Sequence, residues 1–273
     1  LIFVMDVGNT QTTVALFEGE KIVRCWRLTT ARQRTPDEWG ALLKSLFHIH
    51  DLDMSDVSGV AISSVVPPAD WPLRHMCKIY FKLEPLFVAP GIKTGVRVLY
   101  DNPAEVGADR VVNAAAALAK YEVPAIIVDF GTATTFDMLD GAGNYLGGVI
   151  APGLAISAEA LFERAAKLPK VEIARPRRVI GKTTVASMQS GLYWGYVGLV
   201  EGILRRMKKE FGVVKSVVAT GGLAPLIAPD CPSVGAVDED LTLEGLRLLY
   251  ERNQPGGEVE VRGPARGKRR RTE

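Results

Sequence analysis

Four short segments carry side chains whose types and spacing suit phosphoryl chemistry. Asp6-Val7-Gly8-Asn9 and Asp129-Phe130-Gly131-Thr132 each place a carboxylate two residues before a glycine, at the end of an apolar run. Glycine lets a backbone approach a ligand closely, and a tight turn can aim several N–H groups at an anion. Hydroxyls follow in both copies, from Thr10, Thr12 and Thr13 and from Thr132, Thr134 and Thr135. Carboxylates repel bare phosphate, so Asp6 and Asp129 make chemical sense only with a cation between them and the anion. A lone copy would read as an ordinary hairpin; two copies facing each other could grip a nucleotide's phosphates from both sides. Thr220-Gly221-Gly222, after a β-branched run, is a weak turn signal alone and in this order suits an adenosine lying against glycine backbone. Gly107-Ala108-Asp109-Arg110 sets a base beside a cation at a helix start, near the positive end of the dipole. By itself that segment reads more simply, as an Asp109 N-cap and a surface Arg110.

These segments need particular elements to hold them. Ile2–Met5 suits a buried strand, Thr12–Phe17 a second and Lys21–Leu28 a third, with a turn at Glu18-Gly19-Glu20. Thr35-Pro36-Asp37-Glu38 has the order of a capping box and predicts a helix to about His48. Val57–Val65 predicts a strand ended by Pro67-Pro68, and Leu86–Ala89 and Val96–Leu99 predict short strands. Asp109–Lys120 predicts a helix. The opening pattern then returns: aligning Asp6 with Asp129 at an offset of 123 also matches Gly8 with Gly131, Thr12 with Thr135 and Leu16 with Leu139. Helices are predicted at Ser157–Ala166, Thr184–Lys209 and Asp240–Arg252, and a strand at Ser216–Ala219. Gly191, Gly195, Gly198 and Gly202 along the long helix suggest close approach of another helix. The chain thus divides into two similar halves, 1–120 and 121–253, each a mixed sheet flanked by helices, followed by a disordered basic tail, 254–273.

Composition excludes several classes. At 273 residues, 47% apolar and 23% charged, the chain can bury a large core without disulfides. Its three cysteines are scattered with no Cys-x-x-Cys spacing, which fits a reducing compartment. The net charge is +2, but the tail holds six basic against three acidic residues, so the rest of the chain carries −1. No nucleic-acid partner is expected outside that tail. The LIFVM run is too short for a signal segment, and Thr183–Val200, although uncharged, is too polar for a membrane span. Gly181-Lys182-Thr183 imitates the end of a Walker A loop, but Pro176 stands where its first glycine belongs.

The ordered set DVGNT, NPAEVGADR, DFGTATTFD, GGVIAPG, IGKTTVASMQSG, TGG and DLTLEGL resembles the type III pantothenate kinases, over about residues 1–252. That family belongs to the acetate-and-sugar-kinase, Hsp70 and actin superfamily. The resemblance implies two actin-like, ribonuclease-H-like α/β domains with a nucleotide cleft between them. It implies a cytoplasmic enzyme that phosphorylates pantothenate to 4′-phosphopantothenate, the first step of coenzyme A biosynthesis. Asp6, Val7, Gly8, Asn9, Thr10, Gln11, Thr12 and Thr13 would form the first ATP loop, Thr132 would serve the second, and Gly221 and Gly222 would border adenosine. Asp129 would hold a monovalent cation, K⁺ or NH₄⁺, and Asp6 would hold Mg²⁺ through water. Tyr100, Gly107, Ala108, Asp109 and Arg110 would contact pantothenate, with Asp109 as proton acceptor. Thr184 would reach the substrate from a second subunit, which implies a homodimer with a composite site. Two other readings remain: a kinase for another small hydroxy acid or polyol, and a nucleotide-binding regulatory protein of the same fold.

Overall fold

The computed structural model describes residues 1–257. The basic tail predicted from residue 254 therefore lies, from 258 onward, outside the described residues. The first half contains β1 (Ile2–Val7), β2 (Gln11–Glu18), β3 (Lys21–Thr29), α1 (Pro36–Ile49), β4 (Gly59–Ser64), α2 (Pro67–Met76), β5 (Leu86–Phe87) and α3 (Ala108–Lys120). The second contains β6 (Ala125–Phe130), β7 (Ala133–Leu139), β8 (Tyr145–Pro152), α4 (Leu154–Arg164), α5 (Thr184–Phe211), β9 (Ser216–Thr220), α6 (Ala224–Ile227), β10 (Ala236–Val237) and α7 (Leu241–Arg252).

The strand orders, β3-β2-β1-β4-β5 and β8-β7-β6-β9-β10, are the same topology twice. In each, the first strand runs antiparallel to the second and parallel to the fourth. The repeat is real, but the single offset of 123 does not survive. Asp6 pairs with Thr13, whereas Asp129 pairs with Thr135, so the offset drops to 122 after the turn. Gly8 N–H bonds the carbonyl of Gln11, and Gly131 N–H bonds that of Ala133, so the first loop holds one more residue. Thr12 is therefore equivalent to Thr134, and the Thr12–Thr135 identity was a coincidence of the ungapped alignment.

Period-2 alternation divides the core into layers. Phe3, Met5 and Val7 of β1 face α1 and α2, against Trp39, Leu43, Leu73 and Met76. Val4, Ala15 and Ala61 face the other way, toward α3 and α7, where Ile127, Tyr145 and Val218 of the second sheet close the sandwich. Ile126, Val128 and Phe130 then face α5 and α6. The alanine run Ala114–Ala117 keeps α3 slim between the two sheets. At Gly245 on α7 a Cβ would come within 2.6 Å of the Val112 carbonyl, so only glycine lets these helices lie so close.

Thr35 and Glu38 form the predicted capping box. Two expectations fail. Val96–Leu99 makes only an isolated bridge, Val98 with Tyr145 of β8, through one N–H bond from Leu99 to the Tyr145 carbonyl and one from Tyr145 to the Arg97 carbonyl. Pro67-Pro68 does not merely end a strand but opens α2, since proline loses no helical hydrogen bond in a first turn. Among the described residues no helix is long and apolar enough to cross a membrane.

Candidate active site

Three carboxylates converge where the sheets meet α3. Asp6 lies near the end of β1, beside Ser63 of parallel β4, and Asp129 lies near the end of β6, beside Thr220 of β9. Asp109 sits in the first turn of α3, whose N-cap is Gly107 and not Asp109 itself. Burial, then the charges of Asp109 and Asp129, push the Asp6 carboxyl up to about 8. Burial and the Asp109 charge push Asp129 up to about 7, against a hydrogen bond from Asn113. Burial also holds Asp109 above the usual carboxylate range, opposed by the Arg110 N–H that bonds its Oδ1 at 2.8 Å.

The two glycine turns face each other. Thr10 Oγ1 of the first loop and Thr132 Oγ1 of the second are 3.0 Å apart. The first loop is also tied down at its base, where Thr30 Oγ1 donates to the Gly8 carbonyl at 2.7 Å and shares a 2.9 Å hydrogen bond with Thr12. Gln11, Thr12 and Thr13 belong to β2, with Thr12 and Val7 buried, while Asn9, Thr10 and Gln11 are exposed. Gly153 backs the second loop: a Cβ there would collide with the Thr132 and Gly131 carbonyls. Gly221, at φ +87°, leaves β9 directly against Asp129, whose Oδ1 would be 2.5 Å from any Cβ added there. Gly222 faces open space.

Arg110 is not a surface residue. It is 7% exposed, and its Nε donates to Asp137 Oδ1 at 2.7 Å, with Nη2 2.6 Å from the same oxygen. Asp137, fully buried on β7, also accepts from the Tyr145 hydroxyl at 2.7 Å and from Thr135 at 3.2 Å. Tyr100 stands over Gly147 of β8, its ring 6.4 Å from that of Tyr145. Ala108 and Gly107 start the same helix. Tyr100 and Arg110 thus meet around Tyr145 and the Gly147-Gly148 stretch of β8.

Thr184 is brought to none of these. It is exposed at the first position of α5, lining a cavity of about 870 Å³ with Leu161, Lys182, Ser187 and Met188. Asn113, Asp137, Tyr145 and Thr242, which hold the site residues in place, escaped the sequence reading. Only Asn113 left a trace, as it lies four residues after Asp109 and so on one helix face.

The carboxylates fit cations. Among the described residues no ion pair joins a basic side chain to Asp6 or Asp129, and the buried Thr220 hydroxyl beside Asp129 lacks a hydrogen-bond partner. Among the described residues no cluster of three or more His, Cys, Asp or Glu could enclose a metal unaided. Any cation here would need other oxygens, such as those of phosphate and water.

A family model described as Type III pantothenate kinase matches residues 2–206. A "Type III pantothenate kinase" of Koribacter versatilis is 54% identical over 264 residues, covering 93% of this chain and 96% of that protein. One from Anaeromyxobacter sp. is 56% identical over 254 residues, covering 93% and 100%. Among solved structures, a putative 2-dehydro-3-deoxygalactonokinase from Sinorhizobium meliloti superposes with a TM-score of 0.57 at 12% identity, covering 95% of this chain and 99% of that one. At that identity the likeness speaks for the fold alone, which is the two-domain, actin-like architecture.

Proposed function

The chain belongs to the type III pantothenate kinase family, and from that premise we propose how its own residues carry the reaction. The enzyme phosphorylates pantothenate with ATP, giving 4′-phosphopantothenate for coenzyme A synthesis. The observation that carries the residue assignments is the meeting of the two glycine turns at Thr10 and Thr132, with Asp109 close enough to Asp6 and Asp129 to shift both.

Asp6 to Thr13 bind the ATP phosphates from one side and Thr132 from the other, while Gly221 and Gly222 border the adenosine. Asp6 would hold Mg²⁺ through water and Asp129 a monovalent cation, K⁺ or NH₄⁺; both would neutralise phosphate charge. Tyr100, Gly107, Ala108 and Arg110 hold pantothenate so that its hydroxyl lies in line with the γ-phosphorus. The hydroxyl oxygen bonds to that phosphorus as the bond to ADP breaks, and the hydroxyl proton passes to the Asp109 carboxylate. Phosphoryl transfer has a loose transition state, so positioning and charge neutralisation supply most of the rate. Burial raises the proton affinity of Asp109, which makes it a better late acceptor than an exposed carboxylate.

A homodimer completes the site by bringing Thr184 to the substrate. Supporting it, Gly191, Gly195 and Gly198 of α5 face open space within one chain, and Ile156, Leu161, Phe162 and Ile180 nearby are exposed. Two domains, 1–120 and 121–253, are supported by the two separate five-stranded sheets, with α7 packed against the first. The cytoplasm is the compartment that supplies ATP and keeps free cysteines reduced. The test is ATP-dependent phosphorylation of pantothenate with Mg²⁺, in K⁺ against Na⁺. Product that depends on K⁺ supports substrate and cation together. No product from folded, ATP-binding protein would favour a regulatory role.

A further inference from the structure

Asn113 is fully buried in the middle of α3, an expensive place for an amide unless both its ends are paired. Both are. Its Nδ2 donates to Asp129 Oδ2 at 2.9 Å, and its Oδ1 accepts from the Thr242 hydroxyl at 2.7 Å. A carboxylate can only accept, so the amide nitrogen must face Asp129, and the Thr242 hydroxyl is left to donate. Thr242 lies in the first turn of α7, 129 residues further along the chain. The contact between α3 and α7 that sets this geometry is the close one at Gly245, where no larger residue fits.

We propose that Asn113, held in place by Thr242, is a positioning residue for Asp129: it occupies Oδ2 and leaves Oδ1, on the Gly221 side, to take the monovalent cation. A neutral partner is what this role requires. Lysine or arginine at 113 would neutralise Asp129 and remove the reason for a cation; leucine would leave the carboxylate free to rotate. The amide does neither, and through Thr242 it links the orientation of Asp129 to the seating of the C-terminal helix on α3. Outer partners that fix a ligand's orientation typically change metal affinity about 10–100-fold when removed. The inference rests on the reading of Asp129 as a cation ligand, and its test separates the two.

The full-length wild type, Asp129→Asn, Asn113→Leu, Thr242→Val and Thr242→Ser are compared by two readouts. One is the K⁺ concentration giving half-maximal rate; the other is the K⁺-dependent rise in melting temperature with ADP bound, which needs no turnover. Asn113→Leu and Thr242→Val should each raise the half-saturating K⁺ about ten-fold, more than they raise the pantothenate KM, and both should diminish the K⁺-dependent thermal rise. Thr242→Ser, which keeps the donor, should restore both. Should Asn113→Leu fail to fold, Thr242→Val carries the test, because valine matches threonine in shape. If wild type responds to K⁺ and Asp129→Asn abolishes the response, but Thr242→Val leaves both readouts at the wild-type value, the positioning role is overturned while the cation site stands. If the wild type shows no K⁺ response, or Asp129→Asn keeps it, both fall together.

Discussion

The hydroxyls of Thr10 and Thr132, 122 residues apart in the chain, meet at 3.0 Å. They are equivalent positions of the two repeats, each two residues after its glycine or one, according to the extra residue in the first loop. Their meeting shows that the repeats are arranged face to face, turn against turn. A tetrahedral anion arriving there would find donors on both sides, and the two hydroxyls would exchange each other for its oxygens.

Thr10→Val and Thr132→Val should therefore weaken ATP binding without unfolding either half. A neutral hydrogen bond contributes about 1 kcal/mol, so each change should raise the ATP KM about five-fold. Steady-state kinetics at saturating pantothenate measures this. An ATP KM that moves in neither variant would mean that the hydroxyls serve only each other.

Asp109→Asn keeps the size of the side chain and removes its ability to accept a proton. Turnover should fall by about 10²–10⁴-fold, while ADP affinity, measured by calorimetry, stays within about three-fold. A variant that turns over near the wild-type rate would refute Asp109 as proton acceptor.

Asp137→Asn leaves the guanidinium of Arg110 buried without its counter-charge. Removing one partner of a buried pair costs about 3–5 kcal/mol, so the urea midpoint should fall sharply. Tyr145→Phe, which removes one hydrogen bond to the same carboxylate, should cost less, about 1.5–3 kcal/mol. Equal midpoints for Asp137→Asn and wild type would show that Arg110 finds another partner.

Stability should fall as pH rises when nucleotide and K⁺ are absent. Asp6 is faced by Asp109 and Asp129, and Asp129 by Asp109, Asp137 and the neutral Asn113 amide. Both carboxyls are raised from 3.8, to about 8 and about 7, so the folded state holds their protons more tightly than the unfolded chain. Their favourable contribution is complete below the ordinary aspartate range and is lost as pH climbs through about 7 and about 8. The melting temperature should drop between pH 5 and pH 8.5, and Asp6→Asn should flatten that drop and melt higher at pH 8. A wild-type profile that is level over this range would count against close approach of the three carboxylates.

Much of the framework was legible because it is local. The continuous apolar runs at Ile2–Met5 and just before Asp129 suit buried strands, and the glycine two residues after each aspartate marks a turn. Thr35 and Glu38 satisfy each other's backbone within four residues. The long helix from Thr184 ended within two residues of its predicted limit. The repeat was visible as well, although its offset was not, since a one-residue difference in loop length shows only when the strands are paired.

What the sequence determined by itself was therefore the kinds of element, their order, their duplication and the presence of carboxylate, glycine and hydroxyl at two turns. Only the tertiary structure decided the partners. Arg110 and Asp137 lie 27 residues apart, Asn113 and Thr242 lie 129 apart, and each pair exists because α3 is clasped between two sheets and α7. Periodicity tells which face of an element is buried, but not which buried group will oppose it. A charged or amide side chain in that layer must find a partner, and its identity follows from how the layers are packed.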